Sequence, residues 1–238
     1  MKIELDDSIN SNSLEHYFVN FIHDTFGELI FTEFKEEFSK WPKCQFKANR
    51  GSEILWEDAF ANHKGHITKD YVRTQFNKYA TTKEMDSSMY ATFQATEISG
   101  VLRFDIMRLN VNIVGLDKMI LDRITDLEGL KRTLAISTRH EIGHLIDVYR
   151  FNGRPVEEFI DYMDQNERET EEYYKWCEED TNHDWREKLV RYYNITREAN
   201  ANKYGHVDLD EFLDLEKHFD KNKSFILEIN ALENKNDE

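Results

Sequence analysis

The chain has 238 residues, 33% of them charged, with a formal net charge of −16. That acidity argues against nucleic acid as a partner, since phosphate backbones are bound by a positive footprint, and against adsorption to anionic membranes. No apolar run approaches the roughly 18 residues of a membrane span, and Met1-Lys2-Ile3-Glu4-Leu5-Asp6-Asp7 lacks the apolar core of a signal peptide. A cytoplasmic protein, or one packaged into a virion made there, is therefore expected. Aromatic residues at 13% supply a core, while 2 Pro and 9 Gly point to a helix-dominated fold with few tight turns. Cys44 and Cys177 fit no CxxC spacing, and two distant thiols make no disulfide framework, so a reducing compartment is the simpler reading.

Along the chain, residues 12–41 are expected to be helical. Leu14, Tyr17, Phe18, Phe21 and Ile22, then Leu29, Ile30, Phe34 and Phe38, recur at helical spacing. Such a stripe fits a core face or a partner-binding helix pair, and core is the favoured reading. Lys43 to Ser88 is mixed, with Gly51 and Gly65 marking loops. From Met89 to Ile113 the pattern alternates: Tyr90, Thr92, Gln94 and Thr96 against Ala91, Phe93 and Ala95, then Leu102, Phe104 and Ile106 against Arg103, Asp105 and Met107. Ser99-Gly100 between the two runs predicts a hairpin.

A helix follows. Thr125-Asp126-Leu127-Glu128 reads as a capping box, the chain stays helix-compatible to about Arg150, and Asn152-Gly153 followed by Pro155 supplies a stop. Leu127, Leu130, Leu134, Glu141, Leu145 and Val148 fall near one stripe; Ser137, His140, His144 and Asp147 fall near another. Residues 154–195 are highly charged with interspersed Tyr and Trp, and helices are expected over 156–179 and 184–204. After about Asn222 the tail is expected to be partly disordered.

Within the helix lies His140-Glu141-Ile142-Gly143-His144, an HExxH motif. Histidines four apart share one helix face, so both imidazoles reach one metal ion while Glu141 stands beside the open coordination position. Water activated by zinc for hydrolysis needs that set: two neutral nitrogen ligands, a third protein ligand and a carboxylate to take the proton. The residues that would continue the motif towards a third histidine are Asp147 and Arg150 instead. Downstream, Arg197-Glu198-Ala199-Asn200-Ala201-Asn202-Lys203-Tyr204-Gly205 offers Glu198 on a second helix, with Ala199 and Ala201 small enough for close packing and Asn202 one turn on. Glu157 with Asp161 offers a competing ExxxD spacing, while Glu167, Glu169, Glu171 and Glu172 read as a solvated face.

These two segments together resemble gluzincin-type zinc metallopeptidases. The EANANKY stretch is similar to ImmA/IrrE-like peptidases of mobile elements and stress regulators, and HEIGHLID to lethal-factor-like peptidases of toxins and phage particles. The resemblance implies an α+β, helix-rich, zincin-like metallopeptidase domain with a small mixed sheet over the active-site helix. The expected layout is an N-terminal helical region (1–88) packed on a catalytic domain (89–215) with an acidic helical insertion near 154–195, then a C-terminal extension (216–238). One zinc ion per chain would be held by His140, His144 and Glu198. Glu141 would serve as general base in hydrolysis of a protein or peptide substrate. Oxyanion donors would come from Tyr204, His206, Tyr193 or Arg197. Asp147 would bond a ligand histidine or the Glu198 helix, or stay solvated. Leu102–Val111 is a candidate edge strand for an extended substrate. Two other readings stand beside the endopeptidase: a catalytically inactive zincin-fold structural or binding protein, such as a phage or mobile-element component, and an acidic helical interaction protein with a chance motif. His63, His66, His183 and His218 read as surface residues.

Overall fold

A computed structural model describes residues 3–5, 14–49, 88–112, 115–116, 127–179 and 184–211. The predicted capping box at Thr125, the tail after Asn222, and His63, His66, His183 and His218 lie outside them.

The hairpin expected at Ser99-Gly100 is present. Ser99 (φ 54°) and Gly100 (φ 77°) are both left-handed, the backbone a two-residue turn needs to match strand twist. It joins β3 (Met89–Ile98) to β4 (Val101–Asn112), which pair antiparallel with a register shift between Gln94 and Ala95. Before them come β1 (Ile3–Leu5) and β2 (Cys44–Asn49), strands not expected from the sequence in a region read as helical. Both run parallel: β1 pairs with β2, and β2 with β4, Phe46 standing opposite Leu109. The sheet is therefore mixed, in the order β1-β2-β4-β3.

That order corrects one expectation. Leu102–Val111 belongs to a central strand, not an edge. Its Met107–Asn112 half is paired on both sides, and at its other end Leu102 donates to Arg154 O and accepts from Gly153 N. Among the described strands, β3 stands at the end of the sheet beside the motif helix.

Helix α1 (Leu14–Phe31) and the short α2 (Lys35–Phe38) precede β2. Phe18, Ile22, Leu29, Ile30 and Phe34 of the predicted stripe are buried, so this face is core; Tyr17 is about half exposed. Helix α3 (Leu127–Tyr149) carries the HExxH motif through the middle of the molecule. One side of it, through Leu130, Leu134 and Ile142, shares a cluster with Phe18, Ile22, Phe26, Ile30, Phe46, Leu109 and Val111. Leu145 joins a second cluster with Trp41, Leu102, Phe104, Met107, Phe151, Val156 and Phe159. The N-terminal elements thus share one core with the motif helix. Each fully buried Phe or Leu contributes roughly 1.5–3 kcal/mol before the entropy of ordering it is set against that gain.

Helix α3 ends where expected: Gly153, at φ 81°, turns the chain, and its N–H is taken by Leu102 O. Helix α4 (Val156–Glu179) covers the span read from the sequence, burying Val156, Phe159, Tyr162 and Asn166. The stretch predicted as one helix over 184–204 is two, α5 (Trp185–Tyr192) and α6 (Thr196–Tyr204), broken at 193–195. No helix among the described residues is long and apolar enough to cross a membrane.

Cys44 lies between the two clusters, and burial pushes its thiol up to about 12. Almost no thiolate exists at pH ~8, so Cys44 should resist iodoacetamide in the native protein and be alkylated once denatured. Peptide mass spectrometry reads the outcome; rapid native labelling of Cys44 would contradict this packing.

Candidate metal centre

The histidines one turn apart on α3 present their rings to the same side, centroids 4.6 Å apart and planes at 81°. Both are buried. Helix α6 crosses this face in the opposite sense, with Gly205 against Arg139, Ala201 against Gly143, and Glu198 at the histidines. The crossing leaves no room for a methyl group. A Cβ on Gly143 would stand 1.9 Å from Ala201 O, and one on Gly205 2.3 Å from Arg139 O.

Helix α6 has no side-chain cap of its own. Glu169 of α4 supplies one: its Oε2 accepts the Thr196 N–H at 2.6 Å and its Oε1 the Thr196 hydroxyl at 2.8 Å. An anion at a helix start also suits the helix dipole. The Glu167–Glu172 run was expected to be wholly solvated, and Glu169 departs from that.

Glu198 Oε2 lies 3.1 Å from His140 Nε2 and 3.4 Å from His144 Nε2. Donor atoms ~2.0–2.1 Å from a tetrahedral ion stand about 3.3 Å from one another. Both Glu198–histidine separations are close to that edge length, and the donor set N, N, O suits zinc. At the back of His140, Asn202 Oδ1 accepts from Nδ1 at 2.7 Å. That bond keeps a proton on Nδ1 and presents Nε2 as the ligand nitrogen.

Burial and charge divide the titratable groups. Burial would lower His140, but Glu198 beside it, with the Glu141 charge, raises it above the usual range. Burial lowers His144 to about 4, against the pull of Glu198. Burial would raise Glu198, yet the His144 charge and the His140 hydrogen bond hold its carboxyl well below the usual range. Glu141 is pushed up to about 7, chiefly by burial. Its Oε2 accepts the Ala91 N–H of β3 at 2.7 Å, so its carboxylate lies between the motif helix and the sheet edge. His140, Glu141 and His144 have ligand atoms within 4.8 Å of one another. Glu198 is the better third ligand, because a single oxygen faces both Nε2 atoms while an oxygen of Glu141 is held on β3.

The remaining candidates separate. Tyr193 packs edge-on against His140, ring centroids 5.6 Å apart at 79°. Arg197 places Nε 3.9 Å from Glu198 Oε1 with 47% of its side chain exposed. Tyr204, six residues after Glu198, falls off the Glu198–Asn202 face of α6; the Lys203 ammonium lies 5.4 Å from its ring. His206 is beyond the end of α6, at φ 54°, and faces the turn between α1 and α2, where Nδ1 is 2.9 Å from Glu33 Oε1 and its ring lies against Phe34. Asp147 is fully buried rather than solvated; the Tyr162 hydroxyl of α4 donates to its Oδ2, and Arg150 places Nε 3.0 Å from its Oδ1. Glu157 and Asp161 are exposed on the outer face of α4, so the competing ExxxD pair does not approach the histidines.

Glu169 and the Ala91 amide were not anticipated from the sequence. One signal existed for Glu169: the residue directly before Thr196 is Ile195, which has no side-chain acceptor, so the helix start needs one from elsewhere. A backbone amide carries no residue-type signal. In comparisons with protein-family models, curated proteins and solved structures, nothing matches this chain.

Gly143→Ala should force α3 and α6 apart. Overpacking typically costs about 1–3 kcal/mol, and backbone contacts below van der Waals distance put this position at the upper end. The expected outcome is a lower midpoint in thermal denaturation together with loss of metal uptake. Wild-type stability and metal uptake in this variant would mean the helices do not cross this closely.

Proposed function

We propose that the chain is a zincin-like, zinc-dependent endopeptidase, with His140, His144 and Glu198 as metal ligands and Glu141 as general base. The observation that carries this reading is the placement of Glu198 Oε2 at 3.1 and 3.4 Å from the two Nε2 atoms. Bound there, zinc would lower the pKa of a coordinated water towards about 7 and polarise a substrate carbonyl. Glu141, on the same helix and between the histidines, takes the proton of the attacking water at its carboxylate and passes it to the leaving amine. The Ala91 N–H holds one of its oxygens and so fixes the direction of the other. Tyr193 is the donor best placed for the oxyanion, because its ring rests on His140; Arg197 is the half-exposed cation at the same site. A peptide substrate would approach near Ala91 of β3, where the strand's main chain meets Glu141. The cysteines, both free, suit a reducing cytoplasm.

One observation favours the inactive alternative, a binding protein that keeps the site without turnover: Glu141 Oε2 is already engaged by Ala91 N–H.

Elemental analysis of the purified protein should find about one zinc per chain, and none in His144→Ala. Glu198→Ala should retain zinc only weakly. No zinc in the wild type, even after metal is added, would end the peptidase reading.

Glu141→Gln removes a base but no ligand. Its zinc content should match the wild type while hydrolysis of a denatured protein substrate falls by roughly 10²–10⁴-fold. Equal cleavage by both proteins would exclude Glu141 as the base. Full zinc with no cleavage by the wild type on a broad peptide library would select the binding-protein reading.

A further inference from the structure

His206 follows Gly205 just past the end of α6 and lies in the left-handed region, at φ 54°. Helices are most often ended there by glycine, and sometimes by asparagine, because a Cβ disfavours that backbone. The hydrogen bonds are those of such an ending: the Val207 N–H reaches back to Asn202 O at 2.9 Å and the Gly205 N–H to Ala201 O at 2.8 Å. The chain does carry a glycine here, but one residue earlier, where the Arg139 carbonyl leaves no room for a side chain. A histidine thus occupies the left-handed position although glycine would suit the backbone better.

The side chain makes contacts that glycine could not. Its Nδ1 donates to Glu33 Oε1 at 2.9 Å, and the same oxygen accepts from Arg139 Nη1 at 2.5 Å. The ring lies against the buried Phe34, centroids 5.2 Å apart. Arg139 directly precedes His140, and its carbonyl is the atom that Gly205 faces. One carboxylate oxygen from the turn between α1 and α2 therefore joins the two chains on either side of a closest approach. Glycines permit that approach but have no side chain to hold it. Glu33 does for the end of α6 what Glu169 does for its start. The connection to the metal centre runs through Asn202. Helix ends fray, and Asn202 lies in the last turn of α6, its carbonyl bonded by the Val207 N–H and its Oδ1 by His140 Nδ1. Holding the left-handed turn holds that last turn, and with it the orientation of the His140 ring.

We infer that His206 is a positioning residue: anchored on Glu33, it fixes the last turn of α6 so that Asn202 keeps His140 turned to the metal position. The inference rests on the metal-site reading above. It gives His206 a part in metal affinity without contact to the metal or the substrate.

The test uses the full chain and zinc itself. Zinc affinity is measured by competition with a chromophoric chelator, and thermal denaturation of the metal-free proteins is followed in parallel. His206→Gly is expected to melt no lower than the wild type, since glycine suits the backbone there, yet to bind zinc about 10-fold more weakly, the low end of the range for losing a group that orients a ligand. His206→Asn should bind zinc as the wild type does, because asparagine tolerates the left-handed region and offers an amide N–H in place of the Nδ1 donor. In an Asn202→Ala background, His206→Gly should weaken binding no further, as the two residues act in series. A folded His206→Gly with wild-type affinity overturns the inference and leaves the metal site intact. So does an equal loss in His206→Asn, a further loss in the Asn202→Ala background, or a loss of affinity that merely follows a lowered melting temperature. Should His206→Gly fail to fold, Glu33→Ala, which removes the anchor, decides by the same zinc measurement. A wild type that takes up no zinc overturns this inference together with the metal-site reading.

Discussion

The close crossing of α3 and α6 is the constraint on which the site depends. A glutamate can join two histidines of a neighbouring helix only if the backbones approach near enough for its short side chain to span the gap. Gly143 sits inside the HExxH motif with Ala201 O where its Cβ would be, and Gly205 faces the Arg139 carbonyl in the same way. Side chains at these points would hold the helices at the usual 8–10 Å or beyond. Sequence positions normally free for any small residue are here restricted to hydrogen. The rest of the molecule keeps this contact closed: α1 and the sheet press on one side of α3 through Phe18, Ile22, Leu109 and Val111, while Glu169 of α4 anchors the start of α6.

Bringing two carboxylates and two imidazoles together away from water is unfavourable unless each finds a partner. The structure resolves this by giving the carboxylates different surroundings. Glu198 faces two imidazoles and stays ionised, whereas Glu141 faces a backbone amide on β3 and is pushed upwards by burial. Residues of one type thereby acquire different chemistry from position alone. β3 contributes through its main chain, which means the sheet does more than cover the motif helix: it holds one of its acidic groups.

Much of this was legible in the sequence where the signal is local. HEIGH marks a shared histidine face because its spacing equals one helical turn, and EANAN marks a second helix able to come close because Ala199 and Ala201 are small. The boundaries of α4, the stop at Gly153 and the Ser99-Gly100 turn follow from periodicity and punctuation. What escaped depends on partners distant in the chain. Cys44–Asn49 is a strand because β4 lies beside it, and nothing in six mixed residues announces that. For the same reason the alternation of Leu102–Val111 could not distinguish an edge from a centre. Glu169 looked like one more acid in a solvated run, yet its neighbour across space is the uncapped start of α6. His206 was extrapolated along a helix that in fact ends at Tyr204, and the left-handed turn there sends it to Glu33.

The site also differs from small metal domains in what holds it together. In those, the ion organises the chain, and ligands come together only on binding. Here the motif helix is fixed by two apolar clusters, α6 by a cap from α4, and His140 by Asn202, all from protein atoms alone. The attraction of Glu198 for the imidazoles already brings its Oε2 to 3.1 and 3.4 Å from the two Nε2 atoms. A metal entering such a site would displace protons rather than organise the backbone, and would stabilise the fold by mass action alone. That division lets a fold built on an apolar interior carry a polar centre at its middle helix. It also explains why the residues that matter most for the centre, Gly143, Asn202 and Glu169 among them, are ones that touch helices and ligands rather than the metal position itself.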